Sequence, residues 1–207
     1  MKSHPTPAVA KVSSRAQAQT ERILGAAKKC FIEHGFHAAG MALVAETAGM
    51  SASLIYRYFP SKSAIILEIV KRQLEEARTD IRALHDAPDL KEAAFECFTR
   101  WCRADSSTMN AALLLEMSAE ASRDPLIAAG LRESDREIRT ELANWMAASI
   151  TDGGKGLSQE AARIRAISLQ VFMEGLAVRA LREPDISSEA LRSAIADFVD
   201  GLFESSQ

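Results

Sequence analysis

Residues Met41 to Lys62 read MALVAETAGMSASLIYRYFPSK, and this stretch decides the fold of the N-terminal part of the chain. Two short runs, 41–48 and 52–58, flank the turn-forming residues Gly49 and Ser51. Glycine adopts positive φ without a steric penalty, which suits a sharp turn after a helix, and serine is a good N-cap for the next helix. The spacing therefore predicts a helix-turn-helix with helices over 41–48 and 52–58.

The second of these helices is predicted to have one buried and one free face. Its buried side chains, and those of the first helix that meet them, are expected to be Val44, Ala45, Ala48, Met50, Ile55 and Phe59. The outward face carries small, hydroxylic, aromatic and cationic side chains but no carboxylate: Ala52, Ser53, Tyr56, Arg57 and Tyr58. Small residues allow close approach to a major groove, and tyrosine and arginine reach phosphates or base edges. The alternative is a helical hairpin with an exposed aromatic patch.

The predicted DNA contacts extend beyond this helix. Lys62 and the free N–H groups that follow Ser61, at the start of the next helix, are expected to hold another phosphate. The complete predicted DNA-binding set is Ala42, Ser51, Ala52, Ser53, Tyr56, Arg57, Tyr58 and Lys62.

The run from Thr20 to Lys62 closely resembles the DNA-binding domain of TetR-family (tetracycline-repressor-like) transcriptional regulators. The matching residues are Ile23, Ala26, Ala27, Phe31, Gly35-Phe36, Val44-Ala45, Ala48-Gly49-Met50-Ser51, Ile55-Tyr56, Tyr58-Phe59 and Lys62. Two positions depart from the family pattern: Gly40 stands where Thr or Ser usually caps the second helix, and Leu54 where a small residue is common. The resemblance implies an all-α fold of about nine helices.

Charge is distributed unevenly along the chain. The net charge is −3, but residues 1–62 carry +5 and the remainder −8. This segregation predicts a basic DNA-binding segment attached to an acidic body.

The expected domains follow from composition and helix signals. Residues 1–13 contain two prolines and no acid, which predicts a disordered basic arm. A helix-turn-helix domain is expected over 14–62, its first helix beginning at Ser14 and ending at Gly35, and a connecting helix over 63–85. The remaining residues, 86–207, are predicted to form a helical ligand-binding and dimerisation domain. Its helices are expected at about 89–104, from Ser106-Ser107 to 122, and at 125–150, 158–182 and 188–204.

The last two helices are too apolar to have only one buried face, which predicts a second subunit against them. The expected dimer interface is Ile167, Val171, Gly175, Leu191, Ile195, Phe198 and Leu202. A dimer would present paired recognition helices to a palindrome. The alternative is a monomer in which these helices are simply central.

Bulky, adaptable side chains in the middle helices predict a small-molecule pocket. The candidate lining is Phe98, Trp101, Met109, Leu113, Glu116, Met117, Trp145, Phe172 and Met173. Apolar stripes at helical spacing are more often plain core, so that interpretation stays open for each residue.

Other functional classes have no specific support in the sequence. There is no HExxH, GxSxG or CxxC motif, so no enzyme, metal or cofactor is expected, and His34 and His37 are interpreted as loop-end residues. No apolar run approaches a membrane span and no signal segment is evident, while three scattered cysteines fit a reducing cytoplasm. The predicted function is a homodimeric, cytoplasmic DNA-binding regulator, most often a repressor in this family, released from a palindromic operator by a small-molecule inducer. Alternatives are an activator or architectural DNA binder on the same fold, or a helical protein-interaction module.

Overall fold

The computed structural model describes the backbone of residues 7–86, 89–103 and 111–204, and the side chains of 15–82, 89–103 and 111–204. Throughout these ranges the regular elements are helical, which confirms the predicted all-α class. The helices are α1 (Pro7–Ala38), α2 (Met41–Ala48), α3 (Ala52–Tyr58), α4 (Lys62–Asp86), α5 (Leu90–Cys102), α6 (Ala111–Ala121), α7 (Pro125–Ala147), α8 (Gln159–Arg182) and α9 (Ser188–Phe203), with a 3₁₀ turn at Ile150–Asp152.

The chain divides into two compact units, 1–69 and 70–207, and the division falls inside α4. The N-terminal unit packs α1, α2, α3 and the first turns of α4 around a small apolar core. Phe31 and Phe36 are fully buried in it with their ring centroids 4.3 Å apart, and Ile55 anchors α3. Met50, which was expected to face inward, is only half-buried.

Helix α1 begins earlier than expected, and at the predicted end, Gly35, it kinks and continues to Ala38. It begins at Pro7 rather than Ser14, so the predicted disordered arm is wrong for residues 7–13, while 1–6 lie outside the described part of the chain. Proline is favourable at the first helical position because its missing N–H has no partner there, and Ala8 and Ala10 favour helix. At Gly35 (φ 74°, ψ 161°) the helix kinks in a conformation that only glycine adopts readily.

The C-terminal unit contains the rest of α4 and helices α5 to α9 around a second core. Side-chain caps begin its helices where expected: Asp89, Asp124, Ser158 and Ser187 each accept a backbone N–H. The predicted start of α6 at Ser106-Ser107 lies outside the described residues. Helix α7 ends at Ala147, earlier than the expected 150, and Trp145 Nε1 donates to the Gly153 carbonyl at 3.2 Å in the loop that follows.

In the part of the chain that the structure describes, no helix is both long enough and apolar enough to cross a membrane.

Candidate nucleic-acid interface and ligand cavity

The turn between α2 and α3 is fixed by backbone and side-chain hydrogen bonds together. Gly49 adopts the left-handed conformation (φ 60°, ψ 40°), its N–H donates to Glu46, and the N–H of Met50 donates to Ala45, both at 2.9 Å. This pair of bonds is a Schellman motif, which satisfies the last carbonyls of α2. Ser51 then caps α3 by accepting the Leu54 N–H at 3.3 Å. The turn therefore holds α3 at a defined angle to α2.

Helix α3 presents the expected face to solvent. Ala52, Ser53, Tyr56 and Arg57 are all exposed, Tyr56 by 52%, whereas Ile55 is fully buried. Ala52 and Tyr56 lie four residues apart, as do Ser53 and Arg57, so the two rows are neighbours on one helix surface. This surface contains an aromatic hydroxyl, a serine hydroxyl and a guanidinium, and no carboxylate. It combines donors and acceptors that match base edges and phosphates.

The other predicted DNA contacts differ in their exposure and in the hydrogen bonds that they already form. Ala42 is exposed on α2 and Ser51 is exposed, although the Ser51 hydroxyl is engaged in capping and also lies 3.1 Å from Ser53 Oγ. Tyr58 is half-buried and lies at the edge of the α3 face. Lys62 is half-buried, and its ammonium donates to the backbone carbonyl of Phe36 just beyond the kink of α1. Lys62 therefore has a structural contact that sequence reasoning missed.

Arg22 on α1 is a further positioning residue that the sequence did not reveal. Its Nη2 donates to the Gly49 carbonyl at 3.3 Å. The same nitrogen would lie 2.7 Å from a Cβ placed on Gly49, so the guanidinium fits closely against the turn. A long-range contact of this kind has no local sequence signal, because Arg22 and Gly49 meet only after folding.

The C-terminal unit contains a cavity of about 690 Å³ lined by α4, α5, α6, α7 and α8. Its walls are largely apolar, and Ile81, Leu90, Trp101, Leu142 and Met173 contribute to them. This volume lies within the range of about 300–1,000 Å³ that small-molecule sites occupy.

Two of the nine predicted pocket residues, Trp101 and Met173, line this cavity. Phe98, Leu113, Met117 and Trp145 are instead buried in the core, and Phe172 stacks on Phe198 with centroids 3.8 Å apart. Glu116 is half-buried but is not part of the lining, and Met109 lies outside the described residues. Most of the set was wrong because a helical apolar stripe does not distinguish a side chain facing a cavity from one facing another helix.

The polar lining of the cavity was not predicted. Gln170 Nε2 donates to Asp135 Oδ1 at 3.1 Å, and Arg139 Nη1 donates to Gln170 Oε1 at 3.1 Å. Burial raises the pKa of the Asp135 carboxyl against the opposing effects of Arg139 and Gln170. Burial and then the charge of Asp135 raise the pKa of Glu174. A carboxylate within the otherwise apolar run from Val171 to Val178 is the one signal that could have pointed to Glu174.

Comparison with known families matches both units. Residues 23–69 match the model described as bacterial regulatory proteins, tetR family, and residues 90–204 match the C-terminal domain of BetI-type transcriptional repressors. The chain belongs to the TetR family of transcriptional regulators. The family resemblance seen in the helix-turn-helix segment is thereby confirmed, and extends to the C-terminal unit.

Relatives agree with this assignment. The regulator UidR of Escherichia coli K12 is 30% identical over 139 residues, covering 65% of this chain and 68% of UidR. The activator FasR of Mycolicibacterium smegmatis is 28% identical over 152 residues, covering 72% of this chain and 65% of FasR. Among solved structures, GusR of Salmonella enterica is similar with a TM-score of 0.66 and 26% identity, over 88% of this chain and 96% of GusR. These relatives are DNA-binding regulators rather than enzymes, and this chain is likewise a DNA-binding transcriptional regulator.

TetR-family regulators act as dimers, so the predicted interface residues bear on function. Ile167, Val171 and Gly175 are exposed along one side of α8, with Ile164 continuing their row. Phe198 is half-buried against Phe172. Three others, Leu191, Ile195 and Leu202, are at most 8% exposed because they face the core of their own chain, so their assignment to an interface is corrected.

Within the described ranges, no group of three or more His, Cys, Asp and Glu side chains could hold a metal ion.

Proposed function

We propose that this protein is a cytoplasmic homodimeric repressor that binds a palindromic operator through α3 and is released from it by a small molecule. The observation that carries the proposal is the acid-free, solvent-exposed face of α3, held by a capped turn in a chain that belongs to the TetR family. Two such helices, about 34–36 Å apart across a two-fold axis, would meet successive major grooves of one palindrome.

The residues of the N-terminal unit divide into two proposed roles. Ala52, Ser53, Tyr56 and Arg57 contact base edges, since they form the exposed surface of α3. Lys62, together with the backbone N–H groups at the start of α4, contacts phosphate. An ammonium has three donors, so the bond from Lys62 to the Phe36 carbonyl leaves donors for a phosphate oxygen.

The proposed inducer site is the 690 Å³ cavity of the C-terminal unit. Residues 75–81 of α4 contribute to its wall, and α4 begins at Lys62 in the N-terminal unit. A ligand that contacts α4 would therefore favour one arrangement of this helix over another. To weaken operator binding tenfold it needs about 1.4 kcal/mol of differential affinity for the released state.

Activation is the second candidate function, because the relative FasR is a transcriptional activator. The DNA-binding machinery would be the same, and only the position of the operator relative to the promoter would differ. An in vitro transcription assay with purified RNA polymerase separates the two, since a repressor lowers and an activator raises the amount of transcript.

DNA binding is best tested by fluorescence anisotropy on DNA from upstream of the protein's own gene, at two salt concentrations with scrambled competitor. The critical comparison is Arg57→Ala against Arg132→Ala, an exposed arginine of the C-terminal unit. Both variants lose one positive charge, but only the first removes a side chain from α3. We expect Arg57→Ala to weaken binding at least tenfold and Arg132→Ala to leave it unchanged. Equal affinity of both variants and wild type would favour a protein-interaction module over a DNA-binding role for α3.

A further inference from the structure

We propose that the cavity of the C-terminal unit binds an organic cation with an apolar body, held between the carboxylates of Asp135 and Glu174 and the indole of Trp101. This inference rests on the proposed function in that it names the chemical class of the inducer. The inference begins from the uneven chemistry of the lining, in which largely apolar walls carry carboxylates from α4 and α5 and from α7 and α8.

The first acidic group lies where α7 meets α8. Asp135 is half-buried and Glu174 is accessible, and both line the cavity. Among the residues that the structure describes, neither carboxylate forms an ion pair. Their shared neighbour Gln170 directs its amide nitrogen to Asp135 and its carbonyl to Arg139, which is not part of the lining. The amide thus directs its donor end to Asp135, and Glu174 remains exposed.

The second acidic group lies on α4 and α5. Glu75, Glu76, Asp80 and Glu96 line this wall, together with one cation, Arg100. Arg100 is engaged by Asp80 at 3.2 Å and by the Cys97 sulfur at 2.9 Å. Glu75 is paired at 2.8 Å with Arg78, which is not one of the lining residues. Carboxylates therefore outnumber guanidinium groups around the cavity even after these pairs are formed.

This charge balance discriminates between classes of ligand. An anionic ligand would lose its hydration and find only Arg100, already paired, among six carboxylates. A neutral ligand would fill the apolar volume but leave the acids of α7 and α8 uncompensated. A cation with an apolar body would fill the apolar volume and also offset the charge of the acids. The face of an indole attracts a cation within about 6 Å of its centroid. Burial raises the pKa of both Asp135 and Glu174, and the charge of Arg139 opposes this effect without cancelling it.

The test compares three ligands of similar shape and different charge: benzyltrimethylammonium, benzyl alcohol and benzoate. Binding to the full-length protein is measured by isothermal titration calorimetry, for wild type and for Asp135→Asn, Glu174→Gln and Glu133→Gln. Glu133 is the matched control, because it is an exposed acid of α7 outside the cavity, paired with Arg136. We expect the cation to bind at least tenfold more tightly than the other two ligands. Each cavity variant should lose about tenfold in affinity for it, while the control should lose none.

Two outcomes would overturn the inference: benzoate or benzyl alcohol binding as tightly as the cation, or cavity variants that bind the cation like wild type. Thermal unfolding of each variant establishes that a lost affinity is not a lost fold. Anisotropy on operator DNA, measured on the same preparations, separates this inference from the proposed function. If the protein binds the operator but does not prefer the cation, only the proposed ligand class is rejected. If it binds the cation but not the operator, the proposed function is rejected and the cation site in the cavity stands.

Discussion

The apolar row on α8 makes the dimer accessible to a quantitative test. Ile164, Ile167 and Val171 are 59%, 53% and 62% exposed, and their spacing of three and four residues places them on one side of the helix. The other predicted interface leucines and isoleucines are already buried within the chain. We therefore expect the affinity of the dimer to depend strongly on this row, and Ile167→Ala is the perturbation that removes its central side chain.

The expected magnitude follows from the exposed fraction. Burying a complete isoleucine side chain contributes about 1.5–3 kcal/mol, so burying the 53% that is exposed in the single chain contributes about 0.8–1.6 kcal/mol. A two-fold axis presents the residue twice in each interface. Ile167→Ala should therefore cost about 1.5–3 kcal/mol of dimerisation free energy, which raises the dissociation constant roughly 10- to 150-fold.

Sedimentation equilibrium over a range of protein concentrations measures this constant directly. Ile150→Ala is the matched control, because Ile150 is 78% exposed in the 3₁₀ turn and the same atoms are removed. We expect the control to dimerise like wild type. If Ile167→Ala dimerises normally, or if Ile150→Ala weakens the dimer by a similar amount, α8 does not form the interface and the reasoning from exposed area is refuted.

Three further predictions concern Lys62, the kink of α1 and the cavity. Lys62→Ala should weaken binding to all DNA sequences similarly and reduce the salt slope measured by anisotropy by about 0.9, with a lower melting temperature from the lost bond to the Phe36 carbonyl. Gly35→Ala should lower the free energy of unfolding, measured by denaturant titration, by about 1–3 kcal/mol, because φ of 74° with ψ of 161° strains any other residue. Gly25→Ala is the control: a Cβ there meets open space in the middle of the helix, so this variant should raise the free energy of unfolding by about 0.5–1 kcal/mol. Asp135→Asn should raise the melting temperature at neutral pH, because the raised pKa of Asp135 means that its ionised form is disfavoured in the folded state. Wild-type stability falls as pH rises from the ordinary carboxyl pKa to the raised one, so the gain should vanish at acidic pH.

Local chemistry explains why helix boundaries could be predicted so well from the sequence. Ser51, Asp89, Asp124 and Ser158 begin their helices by accepting a backbone N–H within three residues, and this is a property of a short segment alone. The exposed face of α3 was predictable for the same reason. Once Ile55 is fixed as buried by its spacing, the positions of Ser53 and Arg57 on the helix surface follow.

Long-range packing explains what could not be predicted. Helix α9 is apolar on a face that includes Leu191 and Ile195, and periodicity alone does not reveal whether its own chain or a partner covers that face. The cavity is harder still, because its acidic side chains come from four helices, α4, α5, α7 and α8, which span about a hundred residues of sequence. Asp135 is an ordinary charged residue in its local context, and its hydrogen bond with Gln170 of another helix becomes evident only in three dimensions.

The acidic side chains of the cavity lower the stability of the folded chain. Two acids of raised pKa beside an apolar volume oppose folding at neutral pH, and a helical core of this size has no structural need for them. Carboxyl groups whose pKa is shifted by burial cluster at sites that hold a ligand, because function is often obtained at the expense of stability. A cation that relieves this penalty would bind most strongly to whichever arrangement of α4 closes its carboxylates, from Glu75 to Asp80, around the ligand. That arrangement need differ from the operator-binding one by only about 1.4 kcal/mol per tenfold change in DNA affinity. Under the proposed function, a ligand that relieves this cost also contacts α4, which begins at Lys62 and contributes residues 75–81 to the cavity wall.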